Sequence, residues 1–190
     1  MERTAVQKLA RVLRAMVIIV FFCNLAVLFF IPGMVLMQGE WMNLTPYEDP
    51  LELPVRLLIV FAWCWSPDVW VFAENPHAVV LTIFLLFCGV CTAVILWQAK
   101  KVLDTMLEGT PFQLRNAQAL NRAAICCWII SGAALVRLIL WLFMERSPAP
   151  FFTYNTLFIV GFLMAGLLFQ VMSALFRQAA ELKEDQDLTI

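Results

Sequence analysis

Histidine is almost missing from this sequence: His77 stands alone. A single imidazole excludes a protein-only histidine cluster for a metal, and it excludes a Ser-His-Asp constellation. Its neighbours Asn75 and Pro76 read instead as a helix N-cap with proline at the first helical position. Charge is scarce as well, at 14% of residues with a formal net of −1. That total carries no information; only its distribution along the chain does. No glycine-rich phosphate loop, internal repeat or low-complexity segment occurs. Six cysteines are present, Cys23, Cys64, Cys88, Cys91, Cys126 and Cys127. Only Cys64 is expected on an oxidising face, so a disulfide framework is excluded too.

What the chain has in quantity is apolar sequence. A hydrophobic fraction of 63% and a mean hydropathy of +0.84 exceed what a water-soluble domain carries. A hydrocarbon core of about 30 Å needs about 20 helical residues. Four segments reach that length: Ala15 to Met37, Ala78 to Gln98, Ala123 to Met144 and Thr156 to Phe176. The first is too long for a signal-peptide core and lacks a small-residue cleavage site after it, so it reads as a retained helix. The expected architecture is an all-α membrane protein, one four-helix transmembrane domain over residues 1–190. A cytoplasmic hairpin would occupy 99–122, an outer segment 38–77 and a cytoplasmic tail 177–190.

Charge sidedness orients the spans. With the N-terminus inside, Arg3, Lys8, Arg11, Arg14, Lys100, Lys101, Arg115, Arg122, Arg177 and Lys183 are cytoplasmic, and Arg56 and Arg146 lie outside. Counting Pro54 to Trp65 as a fifth span would put Lys100, Lys101, Arg115 and Arg122 on the wrong side. Both termini are therefore expected in the cytoplasm. The outer segment holds Trp41, Trp63, Trp65 and Trp70 among acids that include Asp68 and Glu74, which suits a short interfacial helix in the headgroup layer. Trp97 and Trp128 near the inner boundary and Trp141 near the outer one fit an aromatic belt. Lys8, Arg11 and Arg14 form a basic stripe suited to anionic headgroups, too short and too close to the membrane to bind nucleic acid directly.

Between the second and third spans lies KKVLDTMLEGTPFQLRNAQALNR, Lys100 to Arg122. Gly109 occupies a helix C-terminal position, and Thr110-Pro111-Phe112-Gln113 reads as a capping box, so one helix stops and the next starts at Pro111. Each arm would overhang the membrane by roughly ten residues, about 15 Å. Val102, Leu103, Met106 and Leu107 on one arm face Phe112, Ala117, Leu120 and Ala124 on the other. After the last span, Leu175, Ala179 and Leu182 continue an apolar stripe that should pack on this stalk. That would bring Glu181, Glu184, Asp185 and Asp187 near Lys100, Lys101, Arg115 and Arg122.

Glu108, Gly109, Pro111, Phe112 and Asn116, with Phe176-Arg177 and the terminal run Glu181 to Ile190, resemble a bacterial family of four-span membrane proteins catalogued as a domain of unknown function. Members are often encoded beside a Cro/repressor-type helix-turn-helix regulator, which implies such a regulator as a partner at the cytoplasmic face of the inner membrane. The family usually has glycine where this chain has Ala179, which here favours a continuous helix. The resemblance implies no enzymatic activity and no cofactor. The docking residues expected are Gly109, Pro111, Phe112, Arg115, Asn116, Glu181, Leu182, Asp187, Leu188 and Thr189. A homo-oligomer is left open.

Two other classes of function compete. Cys88-Gly-Val-Cys91 has the C-x-x-C pattern of membrane thiol oxidoreductases, but hydrocarbon disfavours the thiolate that exchange requires, and no outer pair exists to relay electrons. A transporter or channel would gather polar residues on one pathway, whereas Asn24, Thr82, Thr92, Ser131, Arg137 and Gln170 are scattered. Arg137, the one charge deep in a span, suits an anchor that reaches outer headgroups or Asp68 or Glu74. Asn24 suits a hydrogen bond between helices, and the small pairs Gly89/Ala93 and Gly161/Ala165 suit close helix approach.

Overall fold

The computed structural model describes residues 5–36, 54–55, 58, 61–62, 76–145 and 154–187. It contains four long helices: α1 (Ala5–Leu36), α2 (Pro76–Leu107), α3 (Leu114–Glu145) and α4 (Tyr154–Asp187). No strand occurs among the described residues. The helical state follows from the solvent, because hydrocarbon offers backbone N–H and C=O groups no partner and a helix satisfies them within the segment. Each helix has a stretch long and apolar enough to cross a bilayer: Gln7–Gly33, Ala78–Leu107, Leu114–Phe143 and Thr156–Gln186. This is an all-helical, multi-pass membrane protein. At 32 to 34 residues the helices are about 50 Å long, well over the ~30 Å core, so each extends past it.

Contacts divide the chain into two compact units, Met1–Phe22 with Cys91–Ile190, and Cys23–Val90. In the larger unit, α3 and α4 pack against each other along a regular seam. The Ser173 hydroxyl donates to Ala117 O at 2.7 Å, and the Ser131 hydroxyl donates to Ile159 O at 3.0 Å. Between these contacts Gly166 lies against the Trp128 ring and Ala124 O, where an added Cβ would overlap the indole. Ala117, Ala124 and Ser131 thus face Ser173, Gly166 and Ile159, a step of seven residues from one contact to the next on both helices. A seven-residue step keeps one seam aligned between antiparallel helices, and small side chains let the backbones approach.

A second stripe of α3 is also buried. Asn116, Ala119, Ala123, Cys127, Ile130, Ala134 and Leu138 recur at steps of three and four, and Ile130 is 0% exposed. Two buried faces make α3 the most enclosed of the four helices, while α1 and α4 leave most of their apolar side chains outward. Gly161, expected to bring helices together with Ala165, has nothing within 4 Å of a built Cβ. Gly166 fills that role instead, because the rotation of α4 turns it, and not Gly161, toward α3.

In the smaller unit, Asn24 Nδ2 on α1 donates to Gly89 O on α2 at 2.9 Å. Leu28 fills the space above the same glycine, with its Cδ2 2.7 Å from where a Cβ would stand. A side chain at Gly89 would press on Leu28 and disturb the carbonyl that Asn24 uses. Of the outer segment, Pro54, Val55, Leu58, Phe61 and Ala62 are helical, and the Phe61 ring meets Phe30 at 6.3 Å between centroids. The tryptophans and acids of that segment lie outside the described residues.

Candidate docking surface at the stalk end

The turn between α2 and α3 is built from backbone bonds first. Helix α2 ends in a Schellman motif: the Thr110 N–H donates to Thr105 O at 3.1 Å, and the Gly109 N–H donates to Met106 O at 3.3 Å. Gly109 adopts φ +78°, a left-handed conformation that costs residues with a Cβ about 1 kcal/mol or more. The Glu108 N–H bonds to Asp104 O, so the last carbonyls of the helix are satisfied.

Helix α3 starts differently from its sequence expectation. The capping box would need the Gln113 N–H at the Thr110 side chain, but that N–H bonds to Pro111 O at 3.1 Å. The first helical residue is Leu114, not Pro111, and the Asn116 N–H closes on Gln113 O at 2.9 Å. The work of a cap falls to Asn116. Its Nδ2 donates both to Thr105 Oγ1 at 2.6 Å and to Pro111 O at 2.7 Å, while the Thr105 hydroxyl donates to Val102 O at 2.8 Å. One amide therefore ties the end of α2, the corner and the start of α3 together.

Asn116 is only 1% exposed. It was expected among the residues that meet a partner, but it fixes the corner from inside and has no surface to offer. Buried beside it are Val102, Leu103 and Ala117, the apolar faces of the two arms. What the corner presents outward is Gly109, Arg115, part of Pro111, and Phe112 at 50% exposure.

Helix α4 reaches this corner through Phe176, whose ring lies 6.0 Å from that of Phe112. The stripe Leu175, Ala179, Leu182 does not pack down as its spacing suggests: Leu175 is exposed and Leu182 is 65% exposed. From Glu181 to Gln186 every residue is exposed. Glu181 does not need the stalk cations, since it binds Arg177 one turn back, with Nε to Oε1 at 2.9 Å. An exposed pair of this spacing contributes about 0.3–0.5 kcal/mol. The side chain of Asp187, with Leu188 and Thr189, lies outside the described residues.

A charge cluster on the same unit joins α1 to α2. Arg14 Nε stands 2.7 Å from Asp104 Oδ1, and Lys100 Nζ stands 3.3 Å from Asp104 Oδ2. The Arg14 and Asp104 atoms are shielded from solvent, and their contact is an ion pair rather than a well-aligned hydrogen bond. Lys100 also sits 5.3 Å over the Trp97 ring, which meets Phe21 at 5.9 Å. Arg14, assigned from its spacing to lipid headgroups, and Lys100, assigned to the tail acids, thus share Asp104. In the sequence Asp104 shows only as the acid four residues after Lys100, the spacing of a helical ion pair.

The other intramembrane polar residues are accounted for separately. Arg137 is half-buried on α3 and is engaged by a further interaction. Trp141 turns its Nε1 inward, where it has no hydrogen-bond partner, rather than toward a headgroup layer. Cys88 and Cys91 are both buried on α2, and Cys23, Cys91, Cys126 and Cys127 carry free thiols.

The family described as "Protein of unknown function (DUF2975)" matches residues 43–190, which takes in α2, the corner, α3 and α4. No curated protein and no solved structure matches the chain.

Proposed function

The chain belongs to the DUF2975 family of proteins of unknown function, and from that premise we propose that it is a non-enzymatic protein of the bacterial inner membrane whose stalk end docks a cytoplasmic protein. The observation that carries the reading is the contrast within that end. The corner is held by a fully buried amide, yet Phe112 on it and Leu182 farther along α4 are left half or more exposed. Ordering a loop to no purpose is entropically costly, whereas a rigid corner with outward apolar side chains lowers the cost of binding a partner.

The partner that the resemblance implies is a helix-turn-helix regulator. Holding it at the membrane would keep it from DNA, and a signal that changes the tilt of the spans would alter its release. Charge sidedness supports a cytoplasmic position for this end and for both termini, where such a regulator would reside. Crosslinking in native membranes, followed by recovery of attached proteins, tests the proposal with three forms: wild type, Phe112→Ala, and a chain ending before Glu181. Recovery should fall in both altered forms. Equal recovery from all three would move the docking surface elsewhere.

A further inference from the structure

The α3–α4 seam has two sides, and they differ. On the side that carries Asn116, Ala123 and Cys127, α3 is buried. On the other side runs a furrow of about 470 Å³ at the stalk end, lined by Gln118 and Asn121 of α3 and by Gln170 and Arg177 of α4. These residues hold equivalent positions about the seam, one and four residues past Ala117, and three before and four past Ser173. One heptad deeper on the same side come Ile125 and Trp128 of α3 and Leu163 and Leu167 of α4, all exposed and all apolar. The furrow is polar at one end and greasy at the other.

That pattern has a physical difficulty that only an occupant resolves. Gln170 lies six residues inside the end of the apolar run at Phe176, about 9 Å deep on a helix. A carboxamide there needs partners, because hydrocarbon supplies none. Ser173 already donates to Ala117 O, and Arg177 offers Nε to Glu181, which leaves the other N–H groups of the guanidinium directed elsewhere. Arg115 and Arg122, both exposed on α3, add positive charge, while Glu181, Glu184 and Asp185 follow Arg177 along α4.

We propose that this furrow binds an anionic glycerophospholipid from the stalk-side leaflet. Its phosphate would meet Arg177, Asn121 and Gln118, its glycerol ester region Gln170, and an acyl chain the strip Ile125, Trp128, Leu163 and Leu167. A guanidinium and amide donors suit a phosphodiester, and the apolar strip below them suits the tail that a soluble phosphate lacks. Phe112 lies outside the furrow, and Gln118, Asn121, Gln170 and Arg177 all remain when the chain ends before Glu181.

Native mass spectrometry of the purified chain in detergent, titrated with phosphatidylglycerol or phosphatidylcholine, tests this. Retained phosphatidylglycerol should exceed phosphatidylcholine, and Arg177→Gln and Asn121→Leu should each lower it about fivefold. Arg11→Gln, which removes an exposed cation on α1, should leave it unchanged. Circular dichroism reports helix content, and Gln118→Leu repeats the test if Asn121→Leu lowers it. Wild-type retention in the furrow variants would overturn the proposal. So would an equal loss in Arg11→Gln, or full displacement of lipid by millimolar inorganic phosphate, which would mark a soluble anion site.

Discussion

The corner between α2 and α3 and the seam between α3 and α4 lie on one unit and share Ala117 as a neighbour, yet they reach order by opposite means. At the corner, order comes from an added polar group: Asn116 is buried and makes two hydrogen bonds that bridge two helices. Along the seam it comes from subtraction, with alanine, serine and glycine where larger side chains would hold the helices apart. Near water a buried amide discriminates, since any rival conformation leaves its partners unsatisfied. In hydrocarbon, helix burial brings no hydrophobic gain, so contact distance decides.

Overfilling the seam should do the most damage. Gly166→Leu places a side chain where the Trp128 indole sits and should cost about 3 kcal/mol, seen as a lower melting temperature in detergent. Combining it with Trp128→Ala should recover part of that loss. If Gly166→Leu melted like wild type, the seam would not depend on close approach.

Next comes the polar lock. Asn116→Leu leaves Pro111 O with the Gln113 N–H alone and buried Thr105 Oγ1 without a donor, and should cost about 2 kcal/mol. Limited proteolysis should then cut between Glu108 and Gln113, where the wild-type chain should resist. Resistance in both chains would mean the backbone bonds hold the corner without the amide.

Smaller again is the backbone effect at the same corner. Gly109→Ala meets no neighbour within 4 Å, so its cost of about 1 kcal/mol would be conformational alone. Gly109→Asn should lose less, because asparagine tolerates the left-handed region better. Equal losses would point to a contact instead of φ. The smallest effect is expected from the other unit, where Asn24→Leu removes one interhelical bond of about 0.6 kcal/mol. A loss as large as that of Asn116→Leu would erase the distinction between polar groups near water and those in hydrocarbon.

These cases also mark where the sequence was readable. Gly109 announced the end of α2 because few residues adopt its φ, and the Schellman bonds follow from it. The capping box that the sequence predicts does not form, for a local reason: the Pro111 carbonyl sits close enough to capture the Gln113 N–H, and Asn116 then caps from a distance. Flanked by Gln113, Arg115 and Gln118, Asn116 looks like one more solvated residue. The apolar stripe of the tail misled in the opposite sense, since spacing shows that Leu175 and Leu182 share a face but not that anything covers it.

Composition and run length alone settled that this chain is helical and crosses a membrane, because apolar runs of about 20 residues suit spanning helices, which satisfy their backbone polar groups within the segment. The same logic, applied to one glycine, settled where α2 stops. Which glycine meets a neighbouring helix, which amide is buried and which side of the α3–α4 seam opens into a furrow were decided only by the tertiary structure. Each depends on the rotation of one helix about its axis relative to another, and that angle is fixed by contacts between residues far apart in the chain.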